Sequence, residues 1–298
     1  MQASASSGFR LQRPESPPCP PPMPAWLDAL LRRKPGAVPD SLWQTCLRRH
    51  TFLARRAPDE LVRLRQLCLE FLRQKEFHGA QGLAVSDAMA LAIAAQACLP
   101  ILNMAPGIAA LDWYDDFVGI VVHPGEVLAR RETQDESGVV HQYQELLSGE
   151  AMEGGPVTLS WKDVAGAGAS AAQGYNVVIH EFAHKIDMRN GVADGCPPLP
   201  PNFMGAASAR AAHALWRATL QNQFENFREQ VSLAERFGAP ATWLDPYGAS
   251  SPGEFFAVAC EAYFVNRDRF AEGFAPLVTL FDAFFDRRDL ASRAEKRP

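Results

Sequence analysis

The segment "YNVVIHEFAHKID", residues 175–187, combines residue types that could hold and use a metal ion. It places His180 and His184 four positions apart, with Glu181 directly after the first histidine. In a helix, residues four apart lie on one face, so both imidazoles can be directed at one ion. Imidazole is a common zinc ligand, and the adjacent carboxylate can accept a proton from water at the ion. The motif therefore indicates a catalytic metal site, whereas an ordinary helix with two hydrogen-bonded histidines is the alternative.

A catalytic zinc site also needs a third protein ligand, and the residues near the motif offer few choices. A histidine six positions after His184 is excluded, because Asn190 stands there. Asp187 and Asp194 follow closely, and either carboxylate is a possible ligand. Asp187 lies about one turn past His184 on the same helix, where its short side chain is better suited to brace a ligand than to reach the ion.

A later segment, "SSPGEFFAVACEAYF" at residues 250–264, is the other source of carboxylates. Glu254 and Glu261 are seven residues apart and therefore lie on one helical face, two turns from each other. Ser251 and Pro252 mark a helix start, which alone would favour a carboxylate at Glu254 in the first turn. Glu261 stands among apolar residues, where a lone carboxylate would be costly. The pair fits one metal ligand and one supporting residue.

Tyr247 precedes this second helix in the loop "LDPYGASS". A tyrosine hydroxyl near a reacting carbonyl can donate a hydrogen bond to the oxyanion of a tetrahedral intermediate. Taken alone, a tyrosine that simply packs in the core or on the surface is the simpler interpretation of this residue.

The composition restricts the class of partner and the cellular compartment. A formal net charge of -5 and a pI near 5.8 argue against nucleic acid binding, which calls for a basic face. The longest apolar run, residues 88–105, contains asparagine, glutamine and proline, so we expect a buried helix and no membrane segment. Residues 1–24 lack the layout of a secretory signal, and the cysteines lack the spacing of a disulfide framework. We therefore expect a cytoplasmic protein with reduced thiols.

The chain divides into a tail and a folded domain, and the domain must position the candidate residues. Residues 1–24 are rich in serine and proline, so we expect a disordered tail. Residues 25–298 are expected to form a single domain, with helices over about 39–115 and a catalytic part over about 116–286. Within that part, short valine-rich runs predict a small sheet over about 117–161, with helices beyond it. The predicted fold class is α+β and mostly helical, with the sheet packed on the active-site helix.

Beyond the HExxH motif, four longer segments resemble the zinc peptidase family of Mlc titration factor A. They are "QKEFHGAQGL", "IAAQACLPIL", "GYNVVIHEFAHKIDMRNGVADGCPPLP" and "LDPYGASSPGEFFAVACEAYF". The resemblance extends from about residue 39 to about residue 286, with the segments in the order of the family. It implies a zincin-like metalloprotease fold with one Zn2+ per chain, and a metal centre similar to that of lethal-factor-type toxin metalloproteases.

The resemblance also assigns a role to each candidate residue. It implies three metal ligands, which are His180, His184 and Glu254. Glu181 is then the general base, and Tyr247, seven positions before the glutamate ligand, is the donor to the oxyanion. Glu261 and Asp187 are expected to support the ligands by hydrogen bonding.

The function that the resemblance implies is zinc-dependent hydrolysis of peptide bonds, with aminopeptidase-like action on small peptides. The strand predicted at "PVTLSW", residues 156–161, is expected to offer an edge to an extended peptide substrate. The alternative is a regulatory protein that sequesters a transcriptional repressor of sugar uptake, as the founding member of the family does, with peptidase activity secondary. The proline-rich tail and the longer stretch between Met204 and Leu244 depart from the family pattern, which leaves the substrate and partner contacts open.

Overall fold

The computed structural model describes residues 37–134, 140–147 and 149–287 of the 298-residue chain. Its described part is a mostly helical α+β fold with a four-stranded mixed sheet, which confirms the predicted fold class. The disordered tail predicted for residues 1–24 lies outside the described residues, and the domain boundary after it remains a prediction. No helix within the described ranges is long and apolar enough to cross a membrane. The cysteines of these ranges are buried free thiols.

Three helices begin the described chain: α1 (Asp40–Arg49), α2 (Thr51–Ala54) and α3 (Pro58–Gln74). Helix α3 starts at a proline, whose fixed φ suits the first helical turn. Glu60 then turns back, and its Oε2 accepts a hydrogen bond from the Ala57 backbone N–H at 3.2 Å. This bond satisfies one of the backbone donors that a helix start leaves without a partner.

Helix α4 (Asp87–Ile101) forms the centre of the core. Ser86 Oγ accepts a hydrogen bond from the Met89 backbone N–H at 3.4 Å, which caps the start of the helix. Every residue from Met89 to Ile101 is buried, as expected for the longest apolar run of the sequence. A 3-10 helix (Gly107–Tyr114) follows and leads towards the sheet.

The main sheet has four strands in the order β1-β2-β6-β5. They are β1 (Glu76–Gly79), β2 (Gly119–His123), β5 (Gly149–Ala151) and β6 (Val157–Ser160). Strands β1, β2 and β6 are parallel, whereas β5 pairs with β6 in the antiparallel direction. The intervening strands β3 (Val127–Gln134) and β4 (Val140–Leu147) form a separate antiparallel pair.

The sheet differs from the prediction in three places. Strand β1 lies inside the part that is predicted to be helical. Only Phe77 of its four residues is buried, so the sequence of this short strand shows no alternation of apolar and polar residues. The strand predicted at residues 156–161 ends at Ser160, where helix α5 (Trp161–Ser170) begins. The prediction that this strand is a sheet edge is wrong, because β6 lies between β2 and β5. The end of the sheet on this side is β5.

Four helices complete the described fold: α6 (Val177–Asp187), α7 (Ala209–Phe237), α8 (Pro252–Val265) and α9 (Arg267–Phe285). Helix α6, which carries the HExxH motif, packs against α4, α8 and the strands β5 and β6. Its completely buried Phe182 ring lies 4.9 Å from the Tyr114 ring and 5.7 Å from the Phe71 ring, measured between centroids. The sheet therefore packs on the motif helix, as predicted.

Candidate metal centre

Helix α6 presents the two histidines at one edge of a buried element. Asn176 caps its start, because the Asn176 Oδ1 accepts a hydrogen bond from the Ile179 backbone N–H at 2.9 Å. The apolar residues of the helix are all buried: Val177, Val178, Ile179, Phe182, Ala183 and Ile186. This packing fixes the rotation of the helix, and with it the direction in which His180 and His184 point.

Helix α8 brings the later carboxylates to the same place. Ser251 Oγ accepts a hydrogen bond from the Glu254 backbone N–H at 3.1 Å, and Pro252 occupies the first turn, so the helix begins directly before the glutamate. The Glu254 side chain is 23% exposed, whereas that of Glu261, two turns later, is 1% exposed. Because α8 packs along α6, both carboxylates lie beside the histidines.

Three donor atoms converge on one point between these two helices. His180 Nε2 lies 3.1 Å from Glu254 Oε2, His184 Nε2 lies 3.2 Å from the same oxygen, and the two Nε2 atoms are 3.2 Å apart. A tetrahedral zinc site with ligand bonds of about 2.0–2.1 Å separates neighbouring ligand atoms by about 3.3 Å. Two imidazole nitrogens and one carboxylate oxygen at this spacing fit a three-ligand zinc site.

Hydrogen bonding within this cluster shifts the pKa values of its members. Burial lowers the pKa of His180, but hydrogen bonds with Glu254 and Glu261 outweigh burial and raise it well above its usual range. Burial raises the pKa of Glu254, but the two histidines outweigh this effect and hold it below its usual range. Burial lowers the pKa of His184. An ionised Glu254 and a neutral His184 are the forms that bind a cation.

Glu181 lies beside the cluster and against the sheet, with 4% of its surface exposed. Burial raises the pKa of Glu181 to about 8; His180 opposes this shift, and Glu254 adds to it. Gly149 on β5 packs directly on this side chain, since a Cβ at Gly149 would come within 2.4 Å of Glu181 Oε1. A carboxyl group with a pKa near neutrality at such a site can both accept and return a proton.

Glu261 lies behind His180, on the side away from the converging atoms. Its Oε1 is 2.8 Å from His180 Nδ1, and its Oε2 accepts a hydrogen bond from the Asn176 backbone N–H. Because a carboxylate only accepts, His180 Nδ1 donates to Glu261, and Nε2 is the nitrogen that faces the cluster. The hydrogen bonds explain how a carboxylate can be buried in the apolar helix α8.

Asp187 is buried at the end of α6 and holds the loop that follows. Its Oδ2 accepts a hydrogen bond from the Gly195 backbone N–H at 2.7 Å, and burial raises its pKa to about 7. Its Oδ1 and the Nδ1 of His184 are buried atoms without a hydrogen-bond partner among the described residues. The predicted support of His184 by Asp187 therefore stays a prediction. Asp194, the other nearby carboxylate, pairs with Arg217 at 2.7 Å.

Tyr247 lies on a 3-10 turn (Pro246–Ala249) that precedes α8. Asp245 starts this turn, because its Oδ1 accepts a hydrogen bond from the Tyr247 backbone N–H at 2.9 Å. The tyrosine is 40% exposed, and its ring centroid lies 6.2 Å from that of His180. The structure thus brings Tyr247 beside the cluster, at the side that is open to solvent.

Lys185 is a residue of this region that was not predicted. Its ammonium group is completely buried and donates to Asp116 Oδ2 at 3.0 Å, to Met152 O at 2.7 Å and to Gly155 O at 3.1 Å. These bonds tie the turn between β5 and β6 to helix α6. A lysine inside an apolar helix was a visible signal, but its partners are distant in the sequence and no local pattern identifies them.

Most of the chain matches one family of metallopeptidases. The profile of the glucose-regulated metallo-peptidase M90 family matches residues 25–286. Similar proteins include the Mlc titration factor A of Klebsiella pneumoniae subsp. pneumoniae, 32% identical over 82% of this chain and 85% of that protein. The Mlc titration factor A of Yersinia pestis is 30% identical over 88% of this chain and 90% of its own length. These matches confirm the resemblance found in the sequence, and the chain belongs to the glucose-regulated metallo-peptidase M90 family.

Proposed function

We propose that this protein is a zinc-dependent peptidase whose metal is held by His180, His184 and Glu254. The observation that carries the proposal is the convergence of their donor atoms, 3.1 to 3.2 Å apart, beside the buried carboxyl group of Glu181. Membership of a metallopeptidase family supports the same chemistry. One Zn2+ per chain is proposed, since these residues are the only such cluster in the part of the chain that the structure describes.

The proposed mechanism gives each side chain one task. His180, His184 and Glu254 would hold the zinc ion, which would polarise the scissile carbonyl and lower the pKa of a bound water towards about 7. Glu181 accepts the proton of the attacking water and returns it to the leaving amine, a role for which its raised pKa is suited. Glu261 accepts the hydrogen bond of His180 Nδ1 and so keeps Nε2 as the nitrogen directed at the ion. The Tyr247 hydroxyl donates a hydrogen bond to the oxyanion.

The proposed substrate is an extended peptide that lies along β5. This strand forms one end of the main sheet, and Gly149 within it contacts the proposed base. All three residues of β5 are partly exposed, and the end strand of a sheet can pair with the backbone of a peptide. Aminopeptidase-like action on small peptides in the cytoplasm is the finer form of the proposal, and it rests on the family resemblance.

The test is the variant Glu181→Gln, assayed by peptide-library digestion after chelation and zinc add-back. We expect one zinc per chain, because Glu181 is not a proposed ligand, and a loss of cleavage rate of about 10²- to 10⁴-fold. The control Glu235→Gln, on an exposed position of α7, should keep both zinc and activity. Cleavage at the wild-type rate by zinc-loaded Glu181→Gln would show that the mechanism is wrong.

The names of the relatives favour a second candidate function. They are called Mlc titration factor A, so the corresponding proposal is that this chain binds and sequesters a transcriptional repressor of sugar uptake. The zinc would then be structural, or its hydrolytic activity secondary. Co-sedimentation of a purified Mlc-type repressor with wild-type and Glu181→Gln protein tests this candidate, and the absence of a complex with both contradicts it. Neither nucleic acid nor a membrane is part of either proposal.

A further inference from the structure

A continuous chain of buried polar groups runs from the proposed metal site into the N-terminal helices. Its members, in order, are His180, Glu261, Asn176, Gln96 and His50. Each of the last four is at most 2% exposed. Buried polar groups cost free energy unless they are hydrogen bonded, and here each member bonds to the next. We call this set the buried polar chain; it joins α6 and α8 to α4 and to the residue between α1 and α2.

Asn176 is the central link of the buried polar chain. Its backbone N–H donates to Glu261 Oε2, and its side-chain Oδ1 accepts from the Ile179 backbone N–H at 2.9 Å. Its side-chain Nδ2 donates to Gln96 Oε1 at 2.8 Å. The backbone group that holds Glu261 therefore belongs to a residue whose side chain is itself held by Gln96.

Backbone partners of the two amides fix the direction of these hydrogen bonds. Gln96 Nε2 donates to Ala92 O at 3.0 Å, so the Gln96 amide turns its oxygen to Asn176. Asn176 Oδ1 accepts from the Ile179 backbone N–H, so its Nδ2 is the group that donates to Gln96. At the far end of the buried polar chain, Gln96 Nε2 lies 3.4 Å from His50 Nε2, and His50 Nδ1 lies 3.0 Å from Cys46 O.

We infer that Gln96 and Asn176 are positioning residues, which set the metal affinity of His180 through Glu261. The inference rests on the proposed metal site. When the Asn176–Gln96 bond is broken, the Asn176 backbone is held less firmly and the Glu261 carboxylate can turn. The Nδ1 proton of His180 then loses its fixed acceptor, and the imidazole is no longer preoriented for the ion. Neither positioning residue needs to contact the metal or the substrate.

Two variants break the same hydrogen bond from opposite sides. Gln96→Leu replaces the amide by an apolar group of similar size, and Asn176→Ser keeps a good helix cap that is too short to reach Gln96. Chelator competition at fixed pH should show a Zn2+ affinity about 3- to 10-fold lower for each, against about 10- to 100-fold lower for Glu261→Gln. The double variant should bind Zn2+ as weakly as either single variant, because both substitutions remove the same hydrogen bond. If one variant does not fold, the other still tests this bond.

Tyr114→Phe is the matched control, because the buried Tyr114 hydroxyl donates to Ala97 O of α4 at 2.9 Å and belongs to no step of the buried polar chain. It should bind Zn2+ as the wild type does. In the Glu261→Gln background, Gln96→Leu should have no further effect on Zn2+ affinity, since Gln96 acts on His180 only through the Glu261 carboxylate. A second readout is the NMR signal of the His180 Nδ1 proton, which should exchange faster with water in Gln96→Leu.

Two results would overturn the inference. The first is a Zn2+ affinity within about two-fold of wild type for folded Gln96→Leu and Asn176→Ser. The second is a loss of Zn2+ affinity on Gln96→Leu that is as large in the Glu261→Gln background as in the wild type. These affinities are measured without substrate. A wild-type protein that binds Zn2+ but cleaves no peptide would therefore contradict the proposed function and leave the test of the positioning residues intact.

Discussion

Each side chain of the proposed metal site is held by contacts with the rest of the protein. His180 bonds to Glu261, and Glu254 stands in a helical turn that Ser251 caps. His184 lies on the same buried helix as His180, so its direction follows from the packing of α6. A site that is held in this way loses little conformational freedom when an ion binds, which favours affinity. The same holds for Glu181, whose position depends on the absence of a side chain at Gly149.

Gly149→Ala tests that dependence with one added carbon atom. Its Cβ would lie 2.4 Å from Glu181 Oε1, so the carboxyl group has to move away from its present position. Because misplacement of a reacting group by about 1 Å costs about 10²-fold in rate, we expect kcat/KM for peptide cleavage to fall by about that factor. Zinc content should stay at one per chain, since no proposed ligand is touched.

The matched control for this change is Gly166→Ala in helix α5, where nothing lies within 4 Å of the added carbon. It should leave cleavage unchanged and raise the free energy of unfolding by up to about 1 kcal/mol, because alanine favours helix. Wild-type cleavage by Gly149→Ala would mean that Glu181 is not the base or tolerates a large displacement.

At the scale of elements, helix α6 connects every part of the site. It carries two proposed ligands and the proposed base, packs on α8, which carries the third proposed ligand, and contacts the end strand β5. Lys185 fastens the turn between β5 and β6 to this helix by bonding two backbone carbonyls and Asp116. The position of β5, along which the substrate is proposed to lie, relative to the proposed base therefore depends on a buried lysine.

Lys185→Met should lower the free energy of unfolding by about 3 kcal/mol, because it leaves a carboxylate and two carbonyl oxygens without their donor. Urea denaturation measures the change. The control is Lys162→Met, which breaks an exposed pair with Glu126 at 3.3 Å and should cost at most about 1 kcal/mol. Equal losses for the two variants would mean that the buried lysine contributes no more than a surface one.

For the whole molecule, the sequence predicted what depends on local spacing. His180 and His184 are candidate ligands because they are four residues apart, and Glu181 is a candidate base because it directly follows His180. Glu254 and Glu261 are candidates because they are seven residues apart, or two helical turns. The mostly helical α+β class followed from the change from helical periodicity to short valine-rich runs and back. The choice of Glu254 over Glu261 as the proposed ligand rests on the family resemblance, since the spacing alone fits either.

Features that depend on contacts between distant segments could not be predicted. The close approach of Gly149 to Glu181 and the partners of Lys185 involve different elements, and no period in the sequence joins them. Strand β1 was missed because its four residues are too few to show alternation. The edge strand was assigned wrongly because strand order in a sheet is a tertiary property, and β5 has only three residues.

A consequence at this scale is that zinc should stabilise the entire fold. The proposed ligands join α6 to α8, which are far apart in the sequence, and an ion that binds only the folded chain raises its stability. At about 100 times the dissociation constant, the gain is about 2.7 kcal/mol. Thermal unfolding should therefore show a higher Tm with Zn2+ than with chelator, and Glu254→Ala should remove the difference. An unchanged Tm in the wild type would contradict a site that links these helices.

The coordination of bound zinc distinguishes a catalytic site from a structural one. A crystal structure of protein loaded with one equivalent of Zn2+ counts and identifies the ligand atoms. We expect two imidazole nitrogens, one carboxylate oxygen and one water oxygen, because a catalytic site keeps one position open. Four protein ligands would contradict it and would favour a structural zinc in a repressor-binding protein.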